Sequence, residues 1–231
     1  VTPKAVLYTI SCGFRRMEHI IKDASHSSRI PLLEKEAAVL ARFNEDPSYV
    51  YKVKGAAGKM GMTGANLADT SLASLLRGAA CSDQEAVANG TKYFDQIVQV
   101  VTSGEGIYAD GSFIQHTNLA HTGGYGSTLL GCAEKMLYLS TGTPWAVAPA
   151  DVEVLYNFVW NGVRPLYADG AVFDMTNGRG VARPSSADVK TGRVILWSIV
   201  LLSDSAPAEY QGKLKSFAKG QLLKVENSMT P

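Results

Sequence analysis

The segment DGSFIQHTNLAHTGGYG, Asp110 to Gly126, sets two imidazoles, His116 and His121, and one phenol, Tyr125, on a frame holding four glycines. Imidazole and phenol are proton-handling groups, and placed together they suit general acid–base chemistry. His116 and Tyr125 are nine residues apart, which on one continuous helix would put them on opposite faces. They converge only if a helix starts between them. Thr122 is the N-cap candidate, Tyr125 then falls in the first turn, and Leu129, Ala133, Met136 and Leu137 form the buried stripe beyond. His116 and His121 are five apart with no carboxylate at ligand spacing, so neither a metal nor another cofactor is expected.

Three other places carry candidate chemistry. TGAN, Thr63 to Asn66, opens a helix whose Ala68, Leu72, Leu75, Leu76 and Ala79 face inward. The amide of Asn66 either caps that helix or donates hydrogen bonds to a substrate carboxylate. In FDMTNGRGVARP, Arg179 and Arg183 stand four apart among glycines and before Pro184, a loop composition. They either serve one anionic site or are solvated and paired with carboxylates. Of the aromatic set Trp145, Tyr156, Trp160 and Tyr167, the pair Tyr156 and Trp160 shares a helical face and reads as core. Trp145, after Pro144, is the one placed for exposure.

The elements that must position these groups read as helices. Apolar residues recur at helical spacing, while alternation of the kind strands show is scarce. The stripe Val6, Ile10, Phe14, Met17 and Ile21 predicts a first helix, and Ile30 to Phe43 a second with Pro31 in its first turn. Asn44 to Met62 reads as a long loop. Further helices are expected over Gly64 to Ala80, Asp83 to Thr102, Thr122 to Leu139, Pro149 to Asn161, Ser186 to Leu202 and Ala208 to Lys224. Such a succession predicts an all-α fold of antiparallel helical hairpins, a bundle or an (α/α) toroid.

The 231 residues suit one domain over 1–231, with no composition break for a second. With 22 basic and 21 acidic residues the formal charge is +1, and without charge blocks no nucleic-acid partner is expected. No apolar run approaches a membrane span, and VTPKAVLYTISCGFRR lacks the order of a signal peptide. Cys12, Cys81 and Cys132 are widely separated and read as buried free thiols. Asn89-Gly90-Thr91 is a glycosylation sequon.

TGANLADTSLASLLRG, GIYADGSFIQHTNLAHTGGYGSTLL and GAVFDMTNGRGVAR occur in the order and at about the spacing seen in polysaccharide lyase family 8, the hyaluronan, chondroitin AC and xanthan lyases. TPKAV near the start and GTPWAVAPADVEVLYNFVWNGVRPLYADG between the tyrosine and arginine motifs resemble the family too. The resemblance implies part of a catalytic (α/α) toroid, with the family's β-sheet domains outside this chain. It implies β-elimination on an acidic polysaccharide, giving a C4=C5 unsaturated uronate. By resemblance Asn66 engages the uronate carboxylate, His116 and Tyr125 are the catalytic histidine and tyrosine, and Arg179 and Arg183 are the arginines of the GR-x-x-x-R stretch. Asn118, Trp145 and Asn177 are expected to contact substrate. A phenol ionises near pH 10 in water, so a tyrosine base needs cationic neighbours, here the two arginines. The resemblance implies a secreted or cell-surface protein working with the remaining parts of a longer lyase.

The sequence departs from the family pattern at Asn177, where arginine is frequent, near His121, where a tyrosine or similar ring stands, and at Ala182, where serine does. These bear on substrate fit. Two other readings stay open. One is a toroidal glycoside hydrolase using Asp110 with Asp151 or Asp174 as paired carboxylates; the other is a helical polysaccharide-binding domain without turnover.

Overall fold

A computed structural model describes residues 30–51, 58–183 and 188–229. The first expected helix and Cys12 lie outside the described residues. Helix α1 (Ile30–Phe43) has the expected bounds. Inside the expected loop, β1 (Tyr49–Tyr51) pairs antiparallel with β2 (Lys59–Gly61). The segment is anchored where Asn44 Nδ2 donates to the Thr70 carbonyl at 2.7 Å.

Helix α2 (Gly64–Cys81) is rich in alanine and leucine, and its buried side includes Leu67, Ala68, Leu72 and Leu75. It forms a hairpin with α3 (Gln84–Thr91), whose N-cap Asp83 accepts the Ala86 N–H at 3.1 Å and holds Arg77 at 2.8 Å. A β-carbon on Gly90 would stand 2.5 Å from the Leu75 backbone nitrogen, so the two helices touch backbone to backbone with no room for a side chain between. The sequon therefore falls within a helix, at its contact with α2. The single helix expected over Asp83 to Thr102 breaks at Lys92 and Tyr93, and α4 (Phe94–Val98) follows. Tyr93 marks the break by donating its hydroxyl to Asp46 Oδ2 at 3.0 Å.

Strands β3 (Gly106–Ile107), β4 (Phe113–Gln115) and β5 (Leu119–Ala120) form a small antiparallel sheet in that order. Helix α5 (Tyr125–Ser140) comes next, then α6 (Pro149–Asn157), which widens into a π-helical segment over Phe158–Val163. The π segment begins the stretch where Gly162 lies on the Gly111 backbone, beside the turn that leads into β4. A two-stranded pair, β6 (Tyr167–Ala168) with β7 (Ala171–Val172), and two 3-10 turns lead to α7 (Asp188–Ser205) and α8 (Ala208–Met229).

The helices stack in series: α2 packs on α3 and α5, α5 on α7, and α7 on α8. Their shared core includes Leu72, Phe94, Phe113, Leu129, Met136, Leu155, Phe158 and Ile199. Tyr156 is buried, stacks on Tyr210 with centroids 4.8 Å apart and donates to the Ser205 carbonyl. Trp160 is half-buried beneath the Arg164 guanidinium. Cys132 is buried as expected, but Cys81 is exposed, because α2 ends there in solvent.

Glu134, on α5, is 2 % exposed and its Oε1 has no hydrogen-bond partner among the described residues. Burial disfavours the anion and pushes its carboxyl up to about 7. The folded chain therefore holds this proton more tightly than the unfolded chain does. Its contribution to stability is full below the ordinary value of 4.5 and is lost as pH rises through 7. Glu134→Gln is expected to raise the melting temperature at pH 8 and to change it little at pH 4, measured by thermal unfolding across that range.

Candidate active site

The hairpin β4–β5 pairs Ile114 with Ala120 and Gln115 with Leu119, leaving His116, Thr117 and Asn118 as the turn. His116 has φ +55° and Thr117 φ +75°, and the Asn118 N–H donates to the His116 carbonyl at 3.0 Å. This is a γ-turn centred on a β-branched residue, a conformation that persists only where its surroundings fix it. Phe113, in the strand leading to the turn, is fully buried against Phe158 with ring centroids 6.0 Å apart. Glu105 fixes the turn from the side, its Oε1 accepting the Thr117 N–H at 3.2 Å.

Past β5 the chain folds back on His121. The His121 N–H donates to the Phe113 carbonyl at 2.8 Å, and the His121 carbonyl accepts from Gly124 at 3.1 Å and Gly126 at 2.8 Å. Its Nδ1 accepts the Tyr125 N–H at 3.3 Å. Helix α5 starts at Tyr125 with Gly124 as its boundary residue, while Thr122 is buried and makes no cap bond. The expected start between His116 and Tyr125 exists, but the capping acceptor is His121 rather than Thr122. His116 and Tyr125 meet edge to face with centroids 4.7 Å apart, and His121 lies 4.9 Å from Tyr125 and 5.6 Å from His116.

The arginine loop closes one side. The Gly123 N–H donates to the Thr176 carbonyl at 3.0 Å, and the turns at Asp174–Thr176 and Gly178–Ala182 carry Arg179 and Arg183 into solvent. Burial lowers the His121 pKa, and the charges of His116, Arg179 and Arg183 lower it further. Both arginines thus act on the ring cluster electrostatically.

The start of α2 is tied to the same hairpin. Thr63 is its N-cap in position, but the Thr63 hydroxyl donates to Glu105 Oε2 at 2.7 Å instead of capping. Glu105 Oε2 also accepts from Gln115 Nε2, and Gln115 Oε1 accepts the Ala65 N–H at 3.3 Å. Asn66, the third residue of α2, is half-buried and is not the cap. Its helix end is therefore bonded to the residue preceding His116.

Asn118 is exposed on the γ-turn, next to His116. Asn177 does not fit a substrate contact: it is 1 % exposed, donates to Asp174 Oδ1 at 3.1 Å and packs against Gly123. Its amide joins the arginine loop to the glycine segment. Trp145 also stands apart, beyond the far end of α5, a helix about 24 Å long. There it lines a cleft of about 430 Å³ with Lys92, Asp95 and Asp151.

The paired-carboxylate reading finds no geometry. Asp110 accepts both the N–H and the hydroxyl of Ser112, which holds its pKa below the ordinary value and makes it a turn-forming anion. Asp151 starts α6, whose far end meets the Asp110 turn through Gly162, with roughly 16 Å of helix between them. Glycosidase carboxyls stand within about 10 Å. Asp174 is occupied by the Asn177 amide. Among the described residues no group of three or more His, Cys, Asp or Glu could hold a metal ion, and no helix is long and apolar enough to cross a membrane.

Sequence reasoning passed over Glu105, Gln115 and the backbone role of His121. The only signal was their position inside or just before the histidine segment.

The chain is an all-α domain with an imidazole–phenol pair at a helix start and an arginine loop beside it. The family description "Polysaccharide lyase family 8, N terminal alpha-helical domain" matches residues 19–220, and the chain belongs to that family. It is 36% identical over 166 residues to a xanthan lyase of Bacillus sp. (strain GL1), covering 69% of this chain and 17% of that protein. It is 30% identical over 162 residues to a hyaluronate lyase of Thermasporomyces composti, covering 70% of this chain and 21% of that protein. The structure of a chondroitin AC lyase from Streptomyces coelicolor A3, in complex with chondroitin sulphate, superposes with TM-score 0.73 at 26% identity, over 86% of this chain and 27% of that one. The chain thus spans about a fifth of the length of these curated relatives.

Proposed function

We propose that this chain supplies the elimination centre of a lyase acting on uronate-containing polysaccharide, set in an arc of an α/α toroid that the rest of a longer enzyme completes. The observation that carries this reading is the edge-to-face contact of His116 and Tyr125, 4.7 Å between centroids, on a hairpin bonded to the helix end that bears Asn66. In the reaction the C5–H bond of the uronate breaks, the C4–O bond breaks, and the C4=C5 double bond forms. The C5 proton passes to a base, and the departing O4 takes a proton from an acid. Tyr125, half-buried at the mouth of the cluster, serves as base and then as acid. His116 is the second base or orients the phenol.

Asn66 hydrogen-bonds the carboxylate as negative charge spreads onto it, the kind of fixed dipole that stabilises a developing anion. Arg179 and Arg183 add positive potential and draw in the polyanion. Asn118 on the turn contacts a neighbouring sugar, and Trp145 is too far along α5 to share that subsite. A polymer of this kind is met outside the cell, where we place the action.

Incubation with hyaluronan, chondroitin and xanthan tests the reading, of the chain alone and joined to the remainder of a longer lyase. Ultraviolet absorbance of the unsaturated uronate together with new reducing ends is the expected result on at least one polymer. Reducing ends without absorbance would indicate hydrolysis, and neither signal a binding domain.

A further inference from the structure

His121 is bound to the start of α5 through both its backbone and its ring, yet the elimination as derived above gives it no proton to move. It is 4 % exposed. Its backbone accepts two N–H groups from the start of α5 and its Nδ1 a third, that of Tyr125 itself. The first N–H groups of a helix have no partner within the helix, and an acceptor here fixes both the position and the direction of the first turn. A β-carbon on Gly124 or on Gly178 would overlap the imidazole, so the ring is gripped between the start of α5 and the arginine loop.

We propose that His121 is a positioning residue for Tyr125: its unprotonated Nδ1 anchors the Tyr125 N–H, and its ring, in edge contact with the phenol, holds that phenol against His116. The proposal rests on the lyase reading for its kinetic consequence and on the coordinates alone for its geometry.

The proton inventory follows from the contacts. With Nδ1 accepting, the proton of the neutral ring is on Nε2, which has no partner among the described residues. Adding a second proton must occur at Nδ1, and the resulting N–H points at the Tyr125 N–H in place of a lone pair. The groups that face the ring are His116 from the hairpin turn, the Tyr125 phenol from α5, and Arg179 and Arg183 from the 3-10 turns. Burial opposes that proton, and so do the charges of His116, Arg179 and Arg183. The anchored state is therefore present above the ordinary imidazole value of 6.5 and is lost as pH falls through a lower one.

Two variants separate positioning from mere packing. His121→Asn places an amide oxygen near the Nδ1 position and does not titrate, whereas His121→Leu fills the space without an acceptor. In nuclear magnetic resonance titrations of the full chain, the Tyr125 amide signal is expected to move with the midpoint at which the His121 ring titrates, below 6.5. In His121→Asn that step disappears while any step from His116 remains. In the elimination assay His121→Leu is expected to lose at least tenfold in kcat with KM little changed, and His121→Asn to recover most of that loss and to shed one ionisation from the acid limb. A Tyr125 amide indifferent to His121 titration, or equal kcat for the Asn and Leu variants, overturns the proposal. If the unaltered protein forms no unsaturated product at all, the lyase reading falls, and the amide titration still decides whether His121 anchors Tyr125.

Discussion

Tyr125→Phe is expected to lower the rate of C4=C5 product formation by ~10²- to 10⁴-fold, with the upper end favoured because one hydroxyl both takes and gives a proton. Stability is expected to stay within about 0.5 kcal/mol, the range for changes that leave packing intact. The ring remains, so its edge contacts with His116 and His121 are kept, and the helix start depends on the backbone N–H rather than on the hydroxyl. KM is expected to change little, because on the proposed reading Asn66 still hydrogen-bonds the carboxylate and Arg179 and Arg183 still draw in the polyanion. Absorbance of the unsaturated uronate measures the first effect and denaturant unfolding the second. A variant that keeps more than a tenth of the rate would move the base to His116.

The parts of this site that were legible in the sequence are those fixed by local chemistry. The nine-residue spacing of His116 and Tyr125 forced a helix start between them, and α5 begins at Tyr125. Pro31 in a first turn agreed with α1 over Ile30–Phe43, whereas the stretch around Arg179, expected as a loop, winds into a short 3-10 helix over Gly178–Ala182. Long-range partners were not legible. Glu105 reaches Thr63, Gln115 and Thr117, contacts that exist only once α2, β3 and β4 are assembled. The same limit explains Asn177: it is expected to contact substrate, but the Thr176-to-Gly123 bond carries it beneath the glycine segment. Thr122 has the composition of a cap, yet His121 outcompetes it because the β4–β5 hairpin delivers the imidazole to the helix axis. The strands escaped notice for a related reason. At two or three residues they are too short for an alternation to register, and the pairing of β4 with β5 is fixed by the γ-turn and by Glu105 rather than by propensity.

Gln115 supplies the second large effect, because a single buried amide joins two halves of the site. Its Nε2 donates to Glu105 and its Oε1 accepts the Ala65 N–H, so it reads one anion and one helix end with opposite groups of the same amide. Gln115→Leu removes both bonds and leaves the Ala65 N–H buried without a partner, a loss of about 1–3 kcal/mol. Gln115→Glu keeps the acceptor for Ala65 but sets a second carboxylate against Glu105. Two carboxylates sharing a site cannot both ionise at small cost, so one must hold a proton or the pair must part. The expected result is an inversion with pH. Near pH 5 a shared proton restores the link and Gln115→Glu is the more stable variant, whereas near pH 8 it falls below Gln115→Leu. Chemical unfolding at the two values measures the inversion. Because Glu105 also holds the Thr117 N–H, parting of the pair frees the γ-turn that carries His116. The rate of elimination in Gln115→Glu is therefore expected to fall at least tenfold between pH 5 and pH 8 relative to the unaltered protein. Equal stability of the two variants at both pH values would mean that Glu105 is held in place by Thr63 alone.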